Sequence, residues 1–261
     1  MDAPSPPRLS TRLHGRETLL GTVLTLPEVA LAELLAEPLD FVWIDLEHGA
    51  LDAGDVPPLA VAARAAGCAA LVRLASSDRV PAILDAGVDG VVAPRVESAA
   101  QARRLAGRLR HPPRGSRGFA ARRAGGYGRA AAAQSSGADP LLFAQIESAA
   151  GVEAAEEIAA VDGVDALVVG CADLALALDG TLEPASSRVR EAIAHVQDAA
   201  QAAGIASGVA GPDDPGLLHE LAGDRSTLLV CAADVRIYAR AVDELVERLR
   251  AREREALRVG A

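Results

Sequence analysis

The chain has 261 residues, half of them hydrophobic but only 2% aromatic, so it can build one large or two small α/β domains whose core comes from Ala, Val, Leu and Ile. A net charge of −10 argues against nucleic-acid binding, and no apolar run approaches the roughly 20 residues of a membrane span. All 26 basic residues are arginine, which excludes Schiff-base aldolase, pyridoxal-phosphate and P-loop chemistry, each of which needs a lysine.

Residues 1–16 carry Pro4, Pro6 and Pro7 and no apolar h-region, so they read as a flexible arm rather than a secretory signal. Residues 17–261 read as a single domain. Cys68, Cys171 and Cys231 have no paired spacing, so neither a disulfide framework nor a zinc knuckle is expected, and the chain reads as a reduced cytoplasmic protein.

Short β-like runs recur, each followed by a helical pattern. The first strand is expected over Thr22–Leu26, with a helix after Pro27 to about Ala36. The second, Phe41–Leu46, leads to a helix around Val56–Ala66 that Gly67 closes. The third is Ala69–Leu74, then a helix from about Val80 to Gly87. The fourth is Gly90–Pro94, and Ser98 caps a helix to about Leu109. Residues 111–137, rich in Gly, Arg, Ala and Pro, read as a long irregular loop. The fifth strand is Leu141–Glu147, with a helix over Gly151–Ala160. The sixth is Ala166–Gly170, followed by a turn carrying Asp173. A helix over Ser187–Ala203 precedes the seventh strand, Ile205–Ala210. A short helix near Pro215–Ala222 precedes the eighth, Thr227–Ala232, and a charged amphipathic helix over Val235–Arg258 ends the chain. Eight βα units in about 245 residues predict a (β/α)8 TIM barrel, with a doubly wound open sheet as the runner-up. No Gly-x-Gly-x-x-Gly lies between a strand and a helix, which weakens a dinucleotide reading.

A barrel gathers the polar residues at its strand C-termini around one mouth. These are Asp45, Glu47 and His48 after the second strand, Arg73 in the third, Gln145 and Glu147 in the fifth, and Asp173 beyond the sixth. Three titratable groups in four positions at the end of an apolar strand point to a working rim rather than to solvated charges. Arg73 interrupts an apolar run, so it either turns to the mouth or finds a buried partner. At the mouth its fork suits a carboxylate or enolate oxygen. Glu147 and Asp173 suit a hard divalent cation, although each could instead cap a neighbouring helix or turn. The loop arginines Arg114, Arg117, Arg122 and Arg123 could form a lid over an anionic substrate, or equally could be solvated positive sites.

The runs Trp43-Ile-Asp-Leu-Glu-His-Gly49, Leu71-Val-Arg73, Leu84-Asp-Ala-Gly87 with Gly90-Val-Val-Ala-Pro94, Pro113-Arg-Gly-Ser-Arg-Gly118, Gln145-Ile-Glu147, and Val161-Asp-Gly-Val-Asp165 with Gly170-Cys-Ala-Asp-Leu174 occur in an order that resembles the HpcH/HpaI aldolase/citrate lyase family. The resemblance covers about residues 17–245. It implies a class II aldolase that splits a 4-hydroxy-2-oxo acid into pyruvate and an aldehyde through a metal-stabilised enolate. It further implies that Glu147 and Asp173 bind Mg2+ or Mn2+, with Co2+ as a further option. Arg73 would stabilise the enolate oxygen, and His48 would be the acid/base with Asp85 pairing to it. Gln145 would hold the pyruvate side, and backbone amides near Ala172 and Asp173 would hold its carboxylate. A homo-oligomer, trimer or hexamer, with an exchanged C-terminal helix is also implied. Three departures flank the pyruvate end. Cys171 stands where the family usually has Pro, Ala175 and Ala177 stand where Ser is common, and the span from Arg73 to Asp85 is two residues short. Two rivals remain, a citrate-synthase-like or acyl-CoA lyase relative, whose CoA partner the Arg-rich loop could serve, and a non-catalytic barrel.

Overall fold

The computed structural model describes residues 8–13, 15, 17–129 and 139–259. Eight parallel strands close on themselves in sequence order: β1 (Leu19–Leu24), β2 (Phe41–Asp45), β3 (Ala69–Arg73), β4 (Gly90–Ala93), β5 (Leu141–Ile146), β6 (Ala166–Gly170), β7 (Ala206–Ala210) and β8 (Leu228–Ala233). β8 pairs back onto β1, so no open edge remains and the fold is the (β/α)8 barrel rather than an open sheet. The strands are apolar almost throughout because both of their faces are buried.

Alternation along each strand divides the core in two. Phe41, Trp43, Leu71, Val92, Phe143 and Val168 point into the barrel, whereas Val42, Ile44, Val72, Val91 and Val169 point out toward the helices. Three of the six aromatics, Phe41, Trp43 and Phe143, lie inside, where Phe41 and Phe143 meet edge to face with centroids 6.5 Å apart. Gly21 makes room for them, since a Cβ there would lie 2.2 Å from the Phe41 ring.

Apart from the first, whose Leu9 belongs to the interior cluster, the helices form the outer ring. They are α1 (Leu9–Arg12), α2 (Val29–Ala36), α3 (Val56–Ala65), α4 (Val80–Asp85), α5 (Ala99–Leu109), α6 (Ala149–Glu153), α7 (Ala155–Ala159), α8 (Cys171–Asp179), α9 (Ser187–Ala203), α10 (Pro215–Ala222) and α11 (Asp234–Val259). Ser98, Ser148, Ser186 and Asp214 cap α5, α6, α9 and α10 by accepting a backbone N–H.

Four features differ from the sequence reading. β1 begins three residues earlier and ends at Leu24, because the amides of Thr25 and Leu26 donate to Asp234 instead of continuing the ladder. The helix expected over Gly151–Ala160 is two short helices that meet at Ala154. Asp173 stands in the first turn of a helix that starts directly after β6, not in a turn. Within the expected arm, α1 places Leu9 and Leu13 in the same buried cluster as the barrel interior, while residues 1–7, 14 and 16 lie outside the described residues. Among the described residues no helix is long and apolar enough to cross a membrane. α11 packs on β8 and β1, and Val242, Leu245 and Leu249 on it are exposed within the single chain.

Candidate active site at the barrel mouth

The C-terminal ends of the strands surround a cavity of about 930 Å3, walled by Asp45, His48, Arg73, Gln145, Ala172 and Asp173 among others. Six of the residues expected at the mouth therefore face one space, and Glu147 is buried beside it with its carboxylate against Gln145.

Strand register builds the first half of the site. Asp45 and Arg73 are the last residues of β2 and β3 and stand opposite each other in the ladder. Arg73 Nε donates to Asp45 Oδ1 at 2.8 Å and Nη2 to Oδ2 at 2.6 Å, a bidentate fork with both side chains nearly buried. Arg73 Nε also lies 3.5 Å from Glu47 Oε2. Burial alone would lower the Arg73 pKa, but Asp45, Glu47 and Glu147 together hold it above its ordinary value. The guanidinium is thus fixed in orientation and permanently charged. Among the described residues no protein acceptor engages Nη1, which is left for a ligand oxygen.

β5 and β6 build the other half. Glu147 is only 4% exposed. Its Oε1 accepts from the Arg95 backbone N–H at 2.8 Å and its Oε2 from Gln145 Nε2 at 2.7 Å. Arg95 adopts a left-handed backbone (φ 48), a conformation unfavourable for a residue with a Cβ, and its amide meets this carboxylate. Burial, reinforced by the charge of Asp173, pushes the Glu147 carboxyl up to about 7. Burial also raises Glu47. Gly170 is required by close approach, since a Cβ there would sit 2.6 Å from Glu147 Oε2 and 2.7 Å from Gln145 Nε2. Beyond Gly170, α8 starts on the cavity wall with Cys171, Ala172 and Asp173, and the first-turn N–H groups of a helix have no partner within the helix.

Among the described residues two buried polar atoms on the wall lack a partner, the donor Trp43 Nε1 and the acceptor Gln145 Oε1. Neither is explained by the protein alone, and both suit a bound water or a polar substrate.

The donor set fits a hard divalent cation. Two carboxylates whose charges disfavour each other gain from a cation between them, and oxygen donors suit Mg2+ or Mn2+. Among the described residues no cluster of three His, Cys, Asp or Glu side chains forms a complete cage, so water and substrate oxygens would supply the remaining ligands.

His48 is solvent-facing at the rim, its side chain 68% exposed, with Nε2 3.8 Å from Glu47 Oε2. Asp85 is not brought to it. It ends α4, where Arg117 Nη2 donates to its Oδ1 at 3.4 Å. Two of the loop arginines are likewise engaged elsewhere: Arg114 pairs with Asp139, and Arg123 lies over the Tyr127 ring. None of Arg114, Arg117, Arg122 and Arg123 lines the mouth cavity.

The HpcH/HpaI aldolase/citrate lyase family model matches residues 27–215. A hydroxypyruvate/pyruvate aldolase of Paraburkholderia phytofirmans is 38% identical over 254 residues, covering 93% of this chain and 97% of that protein. A 2-dehydro-3,6-dideoxy-6-sulfogluconate aldolase of Pseudomonas putida is 32% identical, covering 92% and 96%. The crystal structure of a family protein from Burkholderia cenocepacia superposes with a TM-score of 0.85 at 32% identity, over 93% of this chain and 98% of that one.

Proposed function

Because the chain belongs to the HpcH/HpaI aldolase/citrate lyase family, we propose that its barrel mouth is the active site of a class II aldolase that reversibly cleaves a 4-hydroxy-2-oxo acid to pyruvate and an aldehyde. One observation carries this reading: an immobilised, charged Arg73 and the Glu147–Asp173 carboxylate pair flank the same cavity.

Glu147 and Asp173 would hold a divalent cation, Mg2+, Mn2+ or Co2+. When bound there, it supplies Lewis-acid polarisation of the 2-oxo acid's oxygens. The remaining steps belong to the chain. The first-turn amides at Ala172 and Asp173 bind the substrate carboxylate at the helix N-terminus. Gln145, its Oε1 otherwise unpaired, orients the pyruvate end. His48 removes the proton of the 4-hydroxyl group, the C3–C4 bonding pair becomes the C2=C3 bond of an enolate, the 2-oxo π pair moves onto its oxygen, and the aldehyde departs. Arg73 Nη1 meets the developing enolate oxygen, and because Asp45 already fixes its plane, little reorganisation accompanies the step. Protonation at C3 then gives pyruvate. Glu47, beside both Arg73 and His48, couples the oxyanion donor to the base.

The exposed apolar stripe of α11 supports a homo-oligomer built through that helix. Three free cysteines, two of them buried, suit a reducing compartment, and we place the enzyme in the cytoplasm.

The test is exchange of the pyruvate methyl protons in D2O, followed by NMR with Mn2+ or Mg2+, with EDTA, and with Glu147→Ala. Exchange that needs the metal and disappears in the variant is the expected result. No exchange with any divalent metal would refute pyruvate enolisation here.

A further inference from the structure

Away from the Glu147–Asp173 pair, the cavity is walled by the loops after β6 and β7 and by the start of α11. Leu182, Glu183, Asp213, Asp214, Leu217 and Arg236 are there, apolar groups mixed with charges that are mostly negative. Among the described residues Arg73 and Arg236 are the guanidinium groups on the whole cavity wall. Arg73 is engaged by Asp45 and Glu47 at the other end. Arg236 is engaged too. Its Nε donates to Asp213 Oδ2 at 2.7 Å, and its Nη2 meets the same oxygen. Arg240 Nη1 donates to the Asp213 carbonyl at 2.7 Å and pins the residue in place. Asp214 Oδ1 is occupied as the α10 cap, which does not remove its charge. Glu183 has no cationic partner among the described residues. A carboxylate arriving at this end would meet the negative charges of Glu183 and Asp214 and a guanidinium already paired with Asp213. An uncharged chain would meet Leu182 and Leu217 and polar groups able to bond hydroxyls.

We propose that this end of the cavity receives an uncharged aldehyde, short aliphatic or hydroxylated, and discriminates against an aldehyde carrying its own carboxylate, with the Asp213–Arg236 pair as the determinant. The inference rests on the aldolase reading above. Asp213 already engages the one guanidinium at this end that could bind an anionic tail, and like charge on Glu183 and Asp214 repels it.

The test uses the full-length protein with Mn2+ and pyruvate. It compares two acceptors of one chain length, 4-oxobutanoate and its methyl ester, by kcat/KM for condensation. The ester is expected to be preferred by about tenfold or more. Asp213→Asn releases Arg236 and moves the ratio toward the anion by about tenfold, whereas Arg236→Ala leaves Asp213 uncompensated and moves it the other way. Equal or better use of the anion by the unmodified protein would overturn the proposal, as would a ratio that neither substitution moves. Pyruvate methyl-proton exchange measured alongside separates the two levels. Exchange with the wrong charge preference sinks this inference alone, while absence of exchange together with absence of condensation sinks the aldolase reading beneath it.

Discussion

Replacing Glu147 by Gln isolates the physical core of the site without reference to any substrate. A carboxyl whose ordinary value is 4.5 and which burial and Asp173 push to about 7 binds its proton more tightly in the folded than in the unfolded chain. Between those two values the folded state therefore carries more protons, and stability declines as pH rises across the window. Above it the ionised, 4% exposed group disfavours the metal-free fold by about 3 kcal/mol. Glu147→Gln removes that term. Its stability relative to wild type should rise by about 2 to 3 kcal/mol between pH 5 and pH 8, whatever constant difference the amide itself introduces. Gln145 can turn its unpaired Oε1 toward the introduced amide, so the hydrogen bond between the two positions need not be lost. The assay is denaturant unfolding in EDTA at fixed protein concentration at both pH values. Mn2+ at pH 8 should then stabilise the wild type and not the variant. A stability difference that stays constant from pH 5 to pH 8 would show that Glu147 ionises like an ordinary carboxylate and would refute the reasoning.

Other perturbations test the remaining parts of the mouth. Arg73→Lys removes the two-pronged contact with Asp45 and should lower kcat by about 100-fold while leaving circular dichroism unchanged. Gly170→Ala forces a methyl group against Glu147 and Gln145, and Mn2+ affinity by calorimetry should weaken by about tenfold or more. Asp234→Ala strips acceptors from Thr25 N, Thr25 Oγ1, Leu26 N and Val235 N at a fully buried position. Urea unfolding should show a loss of about 3 kcal/mol, from orphaned donors at the β8–β1 seam rather than from lost bulk.

The barrel was legible because its strands are buried on both sides and therefore read as unbroken apolar runs bounded by Gly, Pro and Ser. The register and the closure were not. The end of β1 illustrates the reason: it is set by Asp234, more than 200 residues away, which takes the amides of Thr25 and Leu26 out of the ladder. α1 was illegible for a different reason. One turn of helix offers too short a pattern to show that Leu9 and Leu13 belong to the buried cluster of the barrel interior.

The site divides along the same line. Arg73 announced itself as a charge in an apolar strand, which physical chemistry tolerates only with a purpose or a partner. The structure supplies both at once, since the partner Asp45 ends the adjacent strand in register and turns the buried charge into a fixed donor. Nothing local in the sequence marked Arg95 as left-handed, although its amide is what Glu147 accepts. Nor could spacing reveal that Arg117 takes Asp85, or that Arg236 takes Asp213. The groups expected to do chemistry were visible because their residue types are out of place in an apolar run. The groups that orient or neutralise them were hidden because their meaning depends on pairings made across the fold. That asymmetry bears directly on specificity. The polar set at the Glu147–Asp173 end is legible in the sequence, but the opposite end is decided by which arginines are already neutralised, and an arginine count alone would have pointed to the anionic acceptor that the paired geometry disfavours.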